Sequence, residues 1–202
     1  MAVLNMRYDG DEILRKKCKE VKEVDDRIRE ILNDMTDTLH ATPNGAAIAA
    51  NQVGILKRLV VIDMGTGLMK LVNPVIVEQT GEQDCIEGCL SFPEKYGRTI
   101  RPQTVIVKAL DENGEEVTLT GIDEMAKCFC HELDHLDGVC FVDKVTEWLG
   151  PVPSQKAPQA AAKPLSAHNR EERSCNYYLN SGCFPGLTVT TSMTRLEIPS
   201  IR

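Results

Sequence analysis

The segment that most restricts this chain is His131-Glu132-Leu133-Asp134-His135. It lies in a stretch from about Ile122 to Leu136 whose Met125, Ala126, Cys128, Phe129 and Leu133 are too apolar for a solvated helix. That stretch reads as a buried helix stopping near Gly138. Residues four apart share one helix face, so His131 and His135 can converge their imidazoles on one metal ion. Glu132 follows the first of them and can face water on that metal. A bound divalent metal lowers the pKa of such water from about 15.7 to about 7, and a nearby carboxylate can take its proton. H-E-x-x-H is thus a hydrolytic mechanism written into a spacing.

A catalytic metal of this type needs a third protein ligand and one open position. In metzincin proteases the pattern continues as H-E-x-x-H-x-x-G-x-x-H. Gly138 falls where that glycine would, but Phe141 stands at the last histidine. Glu147 is a carboxylate further on, in no convincing helix and just before a change in composition. Upstream, Glu87-Gly88-Cys89-Leu90-Ser91 presents a thiol beside glycine and just before Phe92-Pro93, suited to project from a turn or strand end. A buried small hydrophobe is the commoner fate of a free cysteine, and on this segment alone that reading is favoured. The segment from Gly45 to Gly54 is small and apolar and carries one amide, Gln52. Small residues let a substrate backbone lie close, and Gln52 offers an N–H donor to a developing oxyanion. Tight packing with Gln52 merely hydrogen-bonded is the competing reading.

Asp25 or Asp26 caps a first helix whose Ile28, Ile31, Leu32, Met35 and Leu39 recur at helical spacing, and Pro43-Asn44-Gly45 breaks it. Residues 58–63 and 71–77 read as strands, while 104–110 and 115–120 form a hairpin through Asp111-Glu112-Asn113-Gly114. Helix, strands, then helix predict an α+β domain with a largely antiparallel sheet. The charge is −10 over residues 1–150 and +3 over residues 151–202. The composition shifts there too, into a Pro- and Ala-rich run that discourages helix and sheet. Residues 1–148 are therefore expected to form the catalytic domain, and 149–202 a poorly ordered extension with one candidate strand at Leu187–Met193.

The overall charge of −7 argues against nucleic-acid binding. No apolar run approaches the roughly 18–20 residues of a membrane span. The N-terminus lacks the pattern of a secretory signal, which leads us to expect a cytoplasmic protein whose eight cysteines stay mostly unpaired.

Three ordered segments together resemble the peptide deformylase family, whose motifs are G-φ-G-φ-A-A-x-Q, E-G-C-φ-S and H-E-φ-D-H. The second and third match fully. The first departs at Ala47, where the family usually has glycine, which bars easy access to positive φ and slightly narrows the substrate side. The likeness spans roughly residues 5–145. It implies that Cys89, His131 and His135 bind the metal and that Glu132 is general base, then general acid. Gln52 and the Leu90 backbone N–H would hold the formyl oxygen, and losing one such donor typically costs about 10²–10³ in rate. Gly45, Ala46, Ala47, Cys85, Gly88 and Cys128 would contact substrate, partly as an added strand. Glu87 and Arg101 would pair to brace the Cys89 loop. The substrate implied is an N-formyl-methionyl polypeptide, with the ribosome as a candidate place of action and formate as product. Iron(II) is the metal expected in the cell, with zinc, nickel or cobalt as substitutes. The fold expected has mostly antiparallel sheets packed around a central metal-binding helix, with an N-terminal helix, in a monomer. Two other readings make distinct demands. A zinc peptidase would not need Cys89. A structural zinc held among Cys85, Cys89, Cys128, Cys130 and the histidines would leave Glu132 without work.

Overall fold

The computed structural model describes residues 2–150 and 188–190. Two helices, α1 (Asp26–Ala41) and α2 (Glu124–Leu136), accompany nine strands. The strands are β1 (Ala47–Ala49), β2 (Leu59–Ile62), β3 (Met69–Thr80), β4 (Gln83–Cys89), β5 (Phe92–Arg101), β6 (Thr104–Leu110), β7 (Glu116–Ile122), β8 (Glu147–Leu149) and β9 (Thr188–Thr190). One sheet has the order β1-β2-β3-β6-β7-β9 and a smaller one β4-β5-β8. Every strand pairing is antiparallel. The chain is thus α+β with antiparallel sheets.

Alternation along the strands assigns each helix its side of the large sheet. Leu59, Val61 and Val72 pack with Ile28, Leu32, Met35 and Leu39 of α1, while Val60, Ile62 and Leu71 pack with Ala126, Phe129 and Leu136 of α2. β2 is buried along its whole length because both faces are covered. Asp25 caps α1 by accepting from the Ile28 N–H at 2.8 Å. Gly121 on β7 permits the close seat of α2, since a Cβ there would lie 2.7 Å from the Phe129 ring. Gly138 ends α2 at φ +77°, pressed against the Arg15 carbonyl.

The expected helices and the 104–120 hairpin lie where the sequence places them, but three strand features differ. β3 runs to Thr80 and passes through Pro74 at a register shift, beyond the Val72 end of its pairing with β2, so the missing N–H breaks no ladder there. The β4–β5 hairpin answers to none of the expected strands. Glu147 belongs to β8, exposed and paired to Arg98 at 3.3 Å. Of the expected extension, Leu149 closes β8 opposite Tyr96 and Thr188–Thr190 pairs with Thr118–Thr120 of β7, while residues 151–187 and 191–202 lie outside the described residues. No helix among the described residues is long and apolar enough to cross a membrane. The described cysteines Cys18, Cys85, Cys89, Cys128, Cys130 and Cys140 are all free thiols.

Candidate active site

Cys89 ends β4, and the tight turn to β5 aims its thiol at one face of α2. His131 and His135 come from that face. The donor atoms of the three lie within 4.8 Å of one another, with Cys89 Sγ 3.2 Å from His135 Nε2. Among the described residues this is the one Cys/His/Asp/Glu group that converges so.

Glu87, two residues before Cys89, turns inward and accepts from His131 Nδ1 at 2.7 Å, which leaves Nε2 of that ring for the site. Arg101 reaches the same carboxylate through Nε at 2.6 Å and Nη2 at 3.0 Å, and Thr99 donates to it as well. Arg101 also donates to Asp134 at 2.6 Å, so the brace returns to the helix that carries the histidines. Burial works to raise the Glu87 pKa, but hydrogen bonds from His131 and Arg101 win and hold it well below the carboxylate range. Burial lowers the His135 pKa well below its ordinary value, which keeps that ring neutral as a metal ligand must be. For His131 burial works in the same direction, yet hydrogen bonds to Cys89 and Glu87 raise it to about 10. The donor set, one sulfur and two imidazoles, suits zinc, iron, nickel or cobalt.

Glu132 is buried, its Oε2 has no hydrogen-bond partner among the described residues, and burial raises its pKa to about 7. Gln52 is oriented by its own turn. The Ala49 N–H donates to Oε1 at 2.8 Å, so Nε2 faces Ser91 Oγ at 3.1 Å and Cys89 Sγ at 3.4 Å. A cleft of about 520 Å³ opens over these groups, and Ala46, Ala47, Gly88, Leu90 and Cys128 line it. Gly45 and Cys85 are not among its lining residues. Ala47 is extended in β1 opposite Ile62 and is not at positive φ, so the residue that replaces the family's glycine bears no backbone strain. Sequence reasoning assigned no role to Ser91, Thr99 or Asp134, which orient Gln52, Glu87 and Arg101. Ser91 and Asp134 sit inside the quoted motifs, which was the available signal.

An α+β fold that gathers two helical imidazoles, a thiol and a buried carboxylate under one cleft defines a metal-dependent hydrolase. The polypeptide deformylase family model matches residues 3–149, and the chain belongs to that family. Its members remove the N-formyl group from newly made polypeptides. Peptide deformylase 2 of Clostridium acetobutylicum is 61% identical over 149 residues, covering 74% of this chain and 99% of the relative. Peptide deformylase of Acetivibrio thermocellus is 54% identical, with 74% and 87% covered. The crystal structure of peptide deformylase from Thermotoga maritima superposes with a TM-score of 0.70 at 35% identity, covering 72% of this chain and 99% of that one. A Synechococcus elongatus peptide deformylase in complex with actinonin gives 0.68 at 41% identity, with 70% and 78% covered.

Glu87 carries a prediction with two readouts. Glu87→Gln keeps an acceptor oxygen behind His131 but removes its charge, and the affinity for metal should fall by about 10-fold, the lower end of what such partners are worth. A carboxyl held below its ordinary value of 4.5 stabilises the fold above that pH and ceases to as pH falls through the lowered value. Unfolding free energy of the metal-free variant should therefore fall less steeply with acid below about pH 4.5, by up to roughly 1.4 kcal/mol per pH unit. Denaturant melts at stepped pH check this.

Proposed function

We propose that Cys89, His131 and His135 hold one divalent metal, iron(II) in the cell, and that Glu132 moves the proton of the hydrolysis. The bound metal supplies a Lewis acid that makes water a nucleophile at neutral pH. Water attacks the formyl carbon while Glu132 Oε2 takes one of its protons. The carbonyl oxygen becomes an oxyanion, held by Gln52 Nε2–H and the Leu90 backbone N–H. The C–N bond then breaks as Glu132 returns the proton to the methionine nitrogen. Formic acid leaves and ionises to formate, and the chain keeps a free amine.

Substrate lies extended along Ala46–Ala47 and Gly88, pairing as an added strand, with Cys128 beside the methionine side chain. Gly88 matters through its missing side chain, since a Cβ would sit 2.7 Å from the Tyr96 ring beneath the cleft. α2 is the central element of the domain, bearing metal ligands on one face and core residues on others. We place the enzyme in the cytoplasm as a monomer, meeting its substrate at the ribosome.

The observation that carries this reading is the convergence of Cys89, His131 and His135 beside a buried Glu132 oxygen that has no partner among the described residues. The test is formate release from formyl-Met-Ala-Ser, without oxygen and with iron or nickel supplied. Absence of formate from folded, metal-loaded protein would sink the assignment. The catalytic unit is residues 1–148, so a 1–150 truncation should keep kcat/KM within about threefold of the full chain, and a loss beyond tenfold would assign the extension a catalytic part.

A further inference from the structure

The two histidines of the site differ on the side away from it. Each presents Nε2 to the centre and turns Nδ1 outward, but only His131 has an acceptor there, Glu87 at 2.7 Å. His135 is fully buried, and its Nδ1 has no partner among the described residues. A metal-ligating histidine almost always donates its second ring N–H to a carboxylate, carbonyl or water, which fixes its tautomer and orientation. An unmet N–H in the core carries the full desolvation cost of that group, so the protein has reason to supply an acceptor.

Two other buried side-chain atoms lack partners among the described residues, Glu132 Oε2 and Asn51 Oδ1. Glu132 lines the substrate cleft, whereas His135 does not. Asn51 is fully buried and touches the His135 residue directly, its Nδ2 donating to the His135 carbonyl at 2.6 Å and to the Leu14 carbonyl at 3.3 Å. With both Nδ2 hydrogens on carbonyls, the amide orientation is set and Oδ1 remains as an unused acceptor. Asn51 also precedes Gln52 in one short turn, Ala50–Val53. That turn sends one amide into the cleft and the next to the end of the metal helix.

We propose that Asn51 is a positioning residue for His135: the two atoms do not bond directly, and Oδ1 receives the His135 Nδ1–H through one buried water. This rests on the reading of Cys89, His131 and His135 as a metal centre. Asn51 then does for the second histidine what Glu87 does for the first, with a neutral acceptor in place of a charged one. It also couples the oxyanion donor to the metal helix, because displacing Asn51 shifts Gln52 in the same turn.

The test uses the full chain with zinc alone for affinity, by competition with a chromophoric chelator, and with cobalt(II) for proton NMR of the two Nδ1–H signals. In Asn51→Ala the zinc Kd should rise about 10–100-fold. The His135 Nδ1–H signal should vanish into solvent exchange while that of His131 persists, and Glu87→Ala, which removes the acceptor, should show the reverse. A folded Asn51→Ala with unchanged zinc Kd and a persistent His135 signal overturns the proposal. Wild-type chain that binds no zinc at these residues overturns the metal reading as well. Should Asn51→Ala not fold, a high-resolution structure of the zinc-loaded wild type decides. His135 Nδ1 joined to Asn51 Oδ1 by one water sustains the assignment, and a bond to any other group refutes it.

Discussion

Glu132→Gln should keep its metal and lose turnover, with kcat falling about 10²–10⁴-fold, the usual contribution of a positioned proton carrier. The variant is nearly isosteric and touches no ligand atom. Its amide cannot accept the proton of water or return one to the amine, the two steps proposed for Glu132. Burial raises the pKa of the carboxyl to about 7, close to working pH, where a group both takes and releases a proton readily. The substitution should not unfold the protein, because a buried carboxyl with a raised pKa stabilises nothing by being ionised. Its contribution to the fold is fully present below the ordinary value of 4.5 and is lost as pH rises from there through about 7. Metal analysis together with formate release tests this. Retained turnover with metal bound would show that the proton travels by another group.

The second large effect is expected from Cys89→Ala. Loss of the thiolate should empty the centre, weakening metal binding by more than the roughly 10–100-fold that a supporting partner is worth. Among the described residues no other such group converges there. Glu87 is committed to Arg101 and His131, and Glu147 lies exposed on β8 against Arg98. The fold should survive, since Cys89 sits in a turn at the edge of a small apolar cluster around Leu14, Phe92 and Phe141. Metal content after dialysis and formate release should both drop to near background while the far-ultraviolet spectrum is kept. A variant that keeps metal and activity would favour the zinc-peptidase reading, in which Cys89 is dispensable.

How legible each part is in the sequence follows from the range of the interactions that build it. α1 shows through because a capping aspartate and five apolar residues at helical spacing act within a few turns. α2 shows through for the same reason, with a glycine stop at Gly138. The β4–β5 hairpin is invisible because its alternation is inverted. Ile86 is 52% exposed while Glu87 is 2% exposed, and Thr99 and Arg101 are buried opposite. A search for apolar residues at every second position fails on a strand whose inward side chains are polar. Those side chains are tolerable inside only because they satisfy one another across the hairpin and on α2. Such an inversion is what a functional site leaves behind.

The sequence by itself determined the metal helix, its two imidazoles on one face and the carboxylate between them, because a helix converts spacing of three and four residues directly into direction. Resemblance of ordered motifs then determined the family. That the Cys89 thiol stands beside His131 and His135 is visible only in the tertiary structure. Its sulfur meets a histidine 46 residues away, through strand pairing and helix packing that no local pattern encodes. The same holds for Glu87 behind His131 and for Asn51 against the end of α2, which are 44 and 84 residues from their partners. Contacts of that range depend on which faces the core buries together, and so they become readable only once the chain is folded.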